Sequence, residues 1–220
     1  GLGSSLLAEL ERRARLRVPL GTVSPFRLDV AEQDRAAAAI FLAAGYRHVR
    51  SSWLMHVALP VEAAPSGRTL PEATSLRTGT IDDEPKMHEV VEESFRDHFG
   101  YEPFAFDAWR EWIHAAPGYD PGLSVLAWSG DRLVGAAVNF GSDEGIGWVG
   151  DLGVLTPWRG RSIGRALLER SFDVLAASGH HEARLAVDTE NESGATHLYR
   201  SVGMSVRRRF DLYERQLAGA

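Results

Sequence analysis

The chain has 220 residues, 44% of them hydrophobic and 25% charged, which suits one large globular domain or two small ones. A formal net charge of -6 excludes an overall basic field for nucleic acid and favours a cationic partner. The lack of cysteine excludes disulfides, thiol catalysis and thiolate metal sites, and no apolar run reaches the roughly 20 residues of a membrane span, so a soluble, cytoplasmic protein is expected.

The chain opens on "GLGSSLLAELERRA", which reads as a glycine turn at Gly1–Gly3 feeding a helix. Gly1 is not a methionine, and further sequence is expected upstream of it. A short β-like run begins at Arg27 ("RLDVAEQ"), and Phe41 to Leu59 read as a helix end, a turn at Gly45 and a strand. Pro60 to Pro85 are rich in Pro, Gly, Ser and Thr without periodicity and read as a linker, with a boundary near residue 75. Two amphipathic helices follow: one carries Val90, Val91, Phe95 and Phe99 on a stripe, the other Phe106, Trp109, Trp112 and Ile113. "LSVLAWSGDRLVGAAVNF" reads as a hairpin with a Gly-Asp turn, and "IGWVGDLGVL" as a third strand. From residue 80 onward the order is helix, helix, three strands, helix, strand, helix, strand, an α/β fold with a mixed sheet.

The chain also repeats itself. "GLGSSLLAELERRA" matches "SIGRALLERSFDVLA", with Gly3 against Gly164 and Leu6-Leu7 against Leu167-Leu168. Phe41 to Leu59 match Tyr199 to Leu217 in length, with Gly45 against Gly203, and "RLDVAEQ" corresponds to "RLAVDTEN" from Arg184. Two copies of a helix, strand, helix, strand unit result, and the first lacks everything that precedes its glycine turn.

Between strand and helix, "PWRGRSIGRALLER" (Pro157 to Arg170) packs small residues and positive charge where the helix begins, near Ile163. A helix start aims unpaired N–H groups and about half a positive charge outward, and small residues let an oxygen approach the backbone. Arg159, Arg161 and Arg165 add charge, so a phosphate or pyrophosphate ligand is expected. The spacing fits neither G-x-x-x-x-G-K-[ST] nor G-x-G-x-x-G, which disfavours nucleoside triphosphatases and nicotinamide enzymes.

"LGVLTPWRGRSIGRALL" resembles the coenzyme A signature of the GNAT acyltransferase superfamily, Arg/Gln-x-x-Gly-x-Gly/Ala, here Arg159-Gly160-Arg161-Ser162-Ile163-Gly164. Ser162 departs from the pattern's first glycine, which is expected to tighten the loop or to hold φ below zero. "VDTENESGATHLYRSVGM" resembles the family's next strand and helix, with Asn191, Ala195, Leu198, Tyr199 and Gly203 in order. The layout is similar to tandem GNAT proteins such as the mycothiol synthases: residues 1–60 as the back half of a degenerate GNAT domain, 61–78 as linker and 79–220 as a complete C-terminal GNAT domain. The resemblance implies a mixed, mostly antiparallel central sheet with flanking helices, and acetyl-CoA as acyl donor with no metal.

The resemblance further implies that the strands "WVGDLGVL" and "ARLAVD" part so that pantetheine pairs with Leu152, Gly153 and Val154. The diphosphate is then expected on the amides from Arg159 or Gly160 through Arg161, Ser162, Ile163 and Gly164 to Arg165, with Asn191 near the thiol. Tyr199 matches the family's usual general acid, although Ala195, Leu198, Tyr199 and Val202 also form an apolar stripe on which Tyr199 is a core residue. Phe41 stands at the corresponding place in the first copy and cannot donate a proton.

Asp151, Asp188 and Glu190 are the candidates for general base; Asp151 is preferred, and its other reading is a polar residue at a strand end. His180-His181 read as a solvated turn rather than a metal site, and Trp109, Trp112 and Tyr119 as packing. The family's acceptor loop falls on Tyr101, Phe104 and Asp120. The resulting expectation is an acetyl-CoA-dependent N-acetyltransferase acting by direct attack of a primary amine, without acyl-enzyme. Its partners are a coenzyme A thioester and a small-molecule or peptide amine, not nucleic acid or membrane, in a monomer or homodimer. The alternative is a non-catalytic acyl-CoA-binding or regulatory module, which a buried Tyr199 and a buried base distant from the thiol favour.

Overall fold

The computed structural model describes residues 1–61, 70–190 and 194–219. They divide into two compact units, one from the described residues within Met55–Leu185 and Ser193–Ser205, the other from those within Gly1–Leu54, Ala186–Glu192 and Val206–Ala220.

In the first of these, β3 (Thr74–Thr78), β4 (Val125–Ser129), β5 (Arg132–Phe140) and β6 (Ile146–Val154) pair antiparallel in that order, and β6 then pairs parallel with β7 (Glu182–Asp188). β3 lies at the end of the expected linker: its five residues, TSLRT, sit at the edge of the sheet and are too short and polar for their alternation to show among prolines and glycines. β5 is central and buried along its length, as its run LVGAAVN suggests.

Helices cover both faces of this sheet. α3 (Glu84–Phe95) and α4 (Phe106–Ala115) close one side over Met87, Val90, Val91, Trp109, Ile113, Leu126, Leu133 and Val138. α5 (Ile163–Ala177) closes the other, burying Ile163, Leu167, Leu168, Ser171, Phe172 and Leu175 at helical spacing. Inside, the Asn139 amide nitrogen donates to Leu123 O and Ser171 Oγ. Asp83, at the entry to α3, accepts from the Thr80 N–H and hydroxyl and from both arms of Arg77. The Arg77 guanidinium holds that carboxyl down at about 2.

The other unit holds α1 (Leu2–Arg15), β1 (Val23–Ala31), α2 (Arg35–Ala43), most of β2 (Arg47–Ala58) and nearly all of β8 (Ser205–Ala218). Its core gathers Leu7, Val30, Tyr46 and Tyr213 with Phe26, Leu28, Ile40 and Phe41. Glu214 is buried there between Arg27 and Arg47. The expected turn at Gly1–Gly3 is absent: Gly3 lies inside α1, and a Cβ on it would stand 2.7 Å from Ile40 Cδ1, so the glycine serves close packing.

The two copies, α1-β1-α2-β2 and α5-β7-α6-β8 with α6 at Ala195–Ser201, exchange their last strands. β8 runs antiparallel beside β1, from Val23 opposite Ala218 to Ala31 opposite Phe210. β2 in turn lies beside β7, where Ser51 O accepts from Thr189 N and His181 O accepts from Leu59 N. The compact units therefore interleave along the chain instead of following one another in it.

Candidate active site

β6 and β7 pair only from Ile146 opposite Glu182 to Trp148 opposite Arg184, although β6 runs on to Val154 and β7 to Asp188. Two residues past the last pair, β6 also slips against β5: Asn139 faces Val149 and Val138 faces Asp151, which leaves Gly150 as the extra residue of a bulge. A side chain does not fit there, because a Cβ on Gly150 would stand 2.6 Å from Phe140 Cε2. The bulge sets the facing of the residues that follow. Leu152 and Val154 pack on the α5 side with Ile163 and Leu167. Gly153 turns to α3, where a Cβ would stand 2.9 Å from the Ser94 side chain.

Asp151 shares the α3 side with Glu92. Its carboxylate is half-buried and has no hydrogen-bond partner among the described residues. Burial, reinforced by the negative charge of Glu92, pushes it up to about 6. Glu92 accepts from the Tyr101 hydroxyl at 2.7 Å and from Phe104 N–H at 3.1 Å, which ties the segment between α3 and α4 to this spot. Sequence spacing did not single out Glu92, because a glutamate on the flank of an amphipathic helix looks like a solvated one. Ser94 Oγ nearby is buried without a partner among the described residues.

After β6 the chain makes a single 3-10 turn, Thr156–Trp158, and reaches the glycine loop. Arg159 folds back: its Nε donates to Val154 O and its Nη2 to Ser94 O, both at 3.0 Å. Arg165 donates from Nη1 to Glu169 and from Nη2 to the carbonyl and hydroxyl of Ser201, fastening α5 to the end of α6. Arg161 alone of the three is turned outward, with its guanidinium 5.3 Å from the centre of the Trp158 ring. Gly160 has φ +73° and Ser162 has φ +65°, so the expectation of a negative φ at Ser162 is wrong. The chain enters α5 through the left-handed region whichever residue stands there, and a serine bears about 1–2 kcal/mol of steric cost for it. Ile163 is buried and anchors the helix start, and Gly164 lies against Leu198 and Val154. The N–H groups of Ile163, Gly164 and Arg165 precede the first intrahelical donor, Ala166, and so remain to be paired from outside the helix.

Tyr199 is 8% exposed on α6, and its hydroxyl has no partner among the described residues. Burial raises it to about 12. Asn191 lies outside the described residues. The other two base candidates are engaged in the other unit: Glu190 pairs with Arg50 at 2.9 Å, and Asp188 accepts from Glu190 N–H and lies 3.8 Å from Arg50. His180 Nδ1 lies 3.1 Å from Leu175 O, and among the described residues no group of three His, Asp or Glu side chains converges as a metal site requires. Trp109 is packing, as expected, and the Tyr119 hydroxyl is bound to the buried Glu84, which also faces His114. Trp112 is only half packed: it is 52% exposed, at the edge of the α4 face that buries Trp109 and Ile113, with its ring against Phe104 and Phe140.

Among the described residues no helix is long and apolar enough to cross a membrane. The profile described as "Acetyltransferase (GNAT) family" matches residues 85–204, more than half of the chain and all of the elements that build this site. A mycothiol acetyltransferase of Catenulispora acidiphila is 29% identical over 222 residues, covering 97% of this chain and 68% of that protein. One of Geodermatophilus obscurus is 30% identical over 215 residues, covering 93% of this chain and 66% of that protein. The chain thus spans about two thirds of the length of these relatives. The crystal structure of a GCN5-related N-acetyltransferase from Sphaerobacter thermophilus superposes with a TM-score of 0.83 at 32% identity, covering 99% of this chain and 69% of that one. With the family's profile running from α3 to the end of α6 across the parted strands and the glycine loop, the chain belongs to the GNAT family of acetyltransferases.

Proposed function

We propose that the protein transfers an acetyl group from acetyl-CoA to a primary amine by direct attack in a ternary complex. The observation that carries this reading is the parting of β6 from β7 just before Asp151, with the free N–H groups of α5 beginning one loop later. Pantetheine would run along Leu152, Gly153 and Val154 as the missing strand partner. The pyrophosphate would lie on the amides from Gly160 to Arg165, with Arg161 as its countercharge. Arg159 and Arg165 shape this cradle, since their guanidinium groups are already bound to protein oxygens.

In the reaction, the amine nitrogen attacks the thioester carbonyl carbon, a carbon–nitrogen bond forms, and the carbon–sulfur bond breaks. Asp151 takes the proton that the nitrogen gives up, directly or through water. A carboxylate held near 6 is ionised at neutral pH and still a better base than an ordinary aspartate. The Val154 N–H would face the developing oxyanion. Tyr199 returns a proton to sulfur; at about 12 it is neutral at pH 7 but a weaker acid than an ordinary thiol near 8.5, so delivery must accompany carbon–sulfur cleavage. The C-terminal copy would carry the chemistry, while Phe41, with its ring on Tyr46 and Tyr213, leaves the first copy a scaffold.

The names of the two relatives favour a mycothiol-type acceptor as the second reading, on identity that extends over 93% and 97% of the chain. Calorimetry with acetyl-CoA tests the donor side. One site, weakened in Arg161→Ala, supports the cradle; no binding by the wild type leaves a GNAT fold serving as an interaction module.

A further inference from the structure

All the exposed large aromatic residues of the described structure, Phe99, Phe104 and Trp112, lie between residues 99 and 112, at the segment joining α3 to α4 and on α4 itself. Two of them start a continuous ladder of rings. Phe104 stands 6.3 Å from Trp112, Trp112 6.4 Å from Phe140, and Phe140 5.9 Å from Tyr119, centre to centre. The ladder runs inward to the bulge of β6, because the Phe140 ring occupies the space in front of Gly150, whose backbone is exposed. The next residue is Asp151.

Nothing in the packing of the fold asks for this arrangement. α4 is already anchored by Trp109 and Ile113, and Trp112 keeps about half of its surface in solvent. The outer end of the ladder is nevertheless fixed: the Phe104 N–H is bound by Glu92, the carboxylate nearest in charge effect to Asp151. An apolar wall is thus held beside two carboxylates, a combination that suits a ligand with a flat apolar body at one end and a cation at the other. At the inner end of the ladder, Glu84, His114 and the Tyr119 hydroxyl satisfy one another.

Resting on the acetyltransferase reading above, we propose that Phe104, Trp112 and Phe140 seat the acceptor and that the acceptor is an arylalkylamine, its ring on this wall and its amine at Asp151. The test is thiol release from acetyl-CoA with phenethylamine and tryptamine against propylamine and glucosamine. The expected result is a preference of at least about five-fold in kcat/KM for the aryl amines, with Trp112→Ala lowering the phenethylamine-to-propylamine ratio about five- to ten-fold, the range of one aromatic pair. Saturation-transfer NMR between the protein and phenethylamine, with coenzyme A present, gives a reading independent of turnover: transfer to the ring protons should weaken in both Trp112→Ala and Phe104→Ala.

Equal use of all four amines, a preference for glucosamine, or a Trp112→Ala loss shared equally by every amine overturns the proposal while the acetyltransferase reading stands. Failure of acetyl-CoA to bind sinks that reading instead, and the NMR contact still decides whether the wall takes an aryl amine. No turnover together with no NMR contact refutes the wall as an acceptor seat.

Discussion

Asp151→Asn should make the protein more stable and less active, and the size of both effects follows from the carboxylate's surroundings. Its titration lies near 6 instead of the ordinary 3.8, because burial and the Glu92 charge both disfavour ionisation. At 1.36 kcal/mol per pH unit, ionised Asp151 costs the folded state up to about 3 kcal/mol at pH 7, and residual solvent contact brings this nearer to about 2 kcal/mol. The sign is that of a raised carboxylate: between 3.8 and 6 the folded state holds more protons than the unfolded one, so stability falls as pH rises through that window. Urea unfolding of wild type and Asp151→Asn should show the variant about 2 kcal/mol more stable at pH 7.5, with the gap closing as pH falls from 6 to 4. In parallel, kcat/KM of the wild type should rise through pH 6 as the base ionises, and the variant should lose about 10²–10⁴ in rate together with that limb. A variant no more stable than wild type at pH 7.5, or a gap that does not change with pH, would refute the reasoning: the carboxylate would then be solvated or paired and unsuited to act as base.

Removing one oxygen in Tyr199→Phe should lower kcat by about 100-fold or more while the Kd for acetyl-CoA stays the same and the fold stays intact, since the hydroxyl holds no partner among the described residues; a kcat within a factor of two would make Tyr199 a core residue only. The two loop arginines should separate. Arg159→Ala gives up hydrogen bonds to Val154 O and Ser94 O and should cost about 2 kcal/mol in denaturation, whereas Arg161→Ala should leave stability within about 0.5 kcal/mol and weaken acetyl-CoA about ten-fold by calorimetry. Ser162→Gly should relieve the left-handed strain, offset in part by the added freedom of the unfolded glycine, for a net gain of about 0.5–1 kcal/mol and a Tm higher by about 1–4 °C. A lower Tm would mean that Ser162 makes compensating contacts.

Periodicity revealed α3, α4, α5 and the β4–β5 hairpin because each has one apolar face long enough to be read, and the repeat revealed α2, α6 and the strands around them. β3 stayed hidden since an edge strand of five residues with one inward leucine, Leu76, carries almost no pattern. The strand exchange stayed hidden for a different reason: a repeat reports equivalence between copies, and partner choice among equivalent strands is a long-range matter. At the site, the glycine loop was legible through residue types, but the direction of each arginine was not. Arg159, Arg161 and Arg165 look alike in sequence; only the carbonyls of Val154, Ser94 and Ser201 tell the two fasteners from the one outward charge.

A similar division between fasteners and free groups recurs elsewhere in this unit. Glu84 is bound by His114 and Tyr119, Asp83 by Arg77 and Thr80, and the Asn139 amide nitrogen by Leu123 and Ser171, so the charged groups buried here are paired. Asp151 and Tyr199 are withdrawn from water without a partner among the described residues, and both titrate away from their ordinary values in the direction that keeps them neutral. Withdrawal without pairing is unfavourable for folding and is tolerated where a ligand completes the hydrogen bonds. The first copy shows the alternative: Phe41, equivalent in sequence to Tyr199, has no hydroxyl to leave unpaired and spends its ring on Tyr46 and Tyr213. A single oxygen removed from Tyr199 should therefore silence the C-terminal copy, whereas Phe41→Tyr should only add a hydroxyl to a ring packed on Tyr46 and Tyr213.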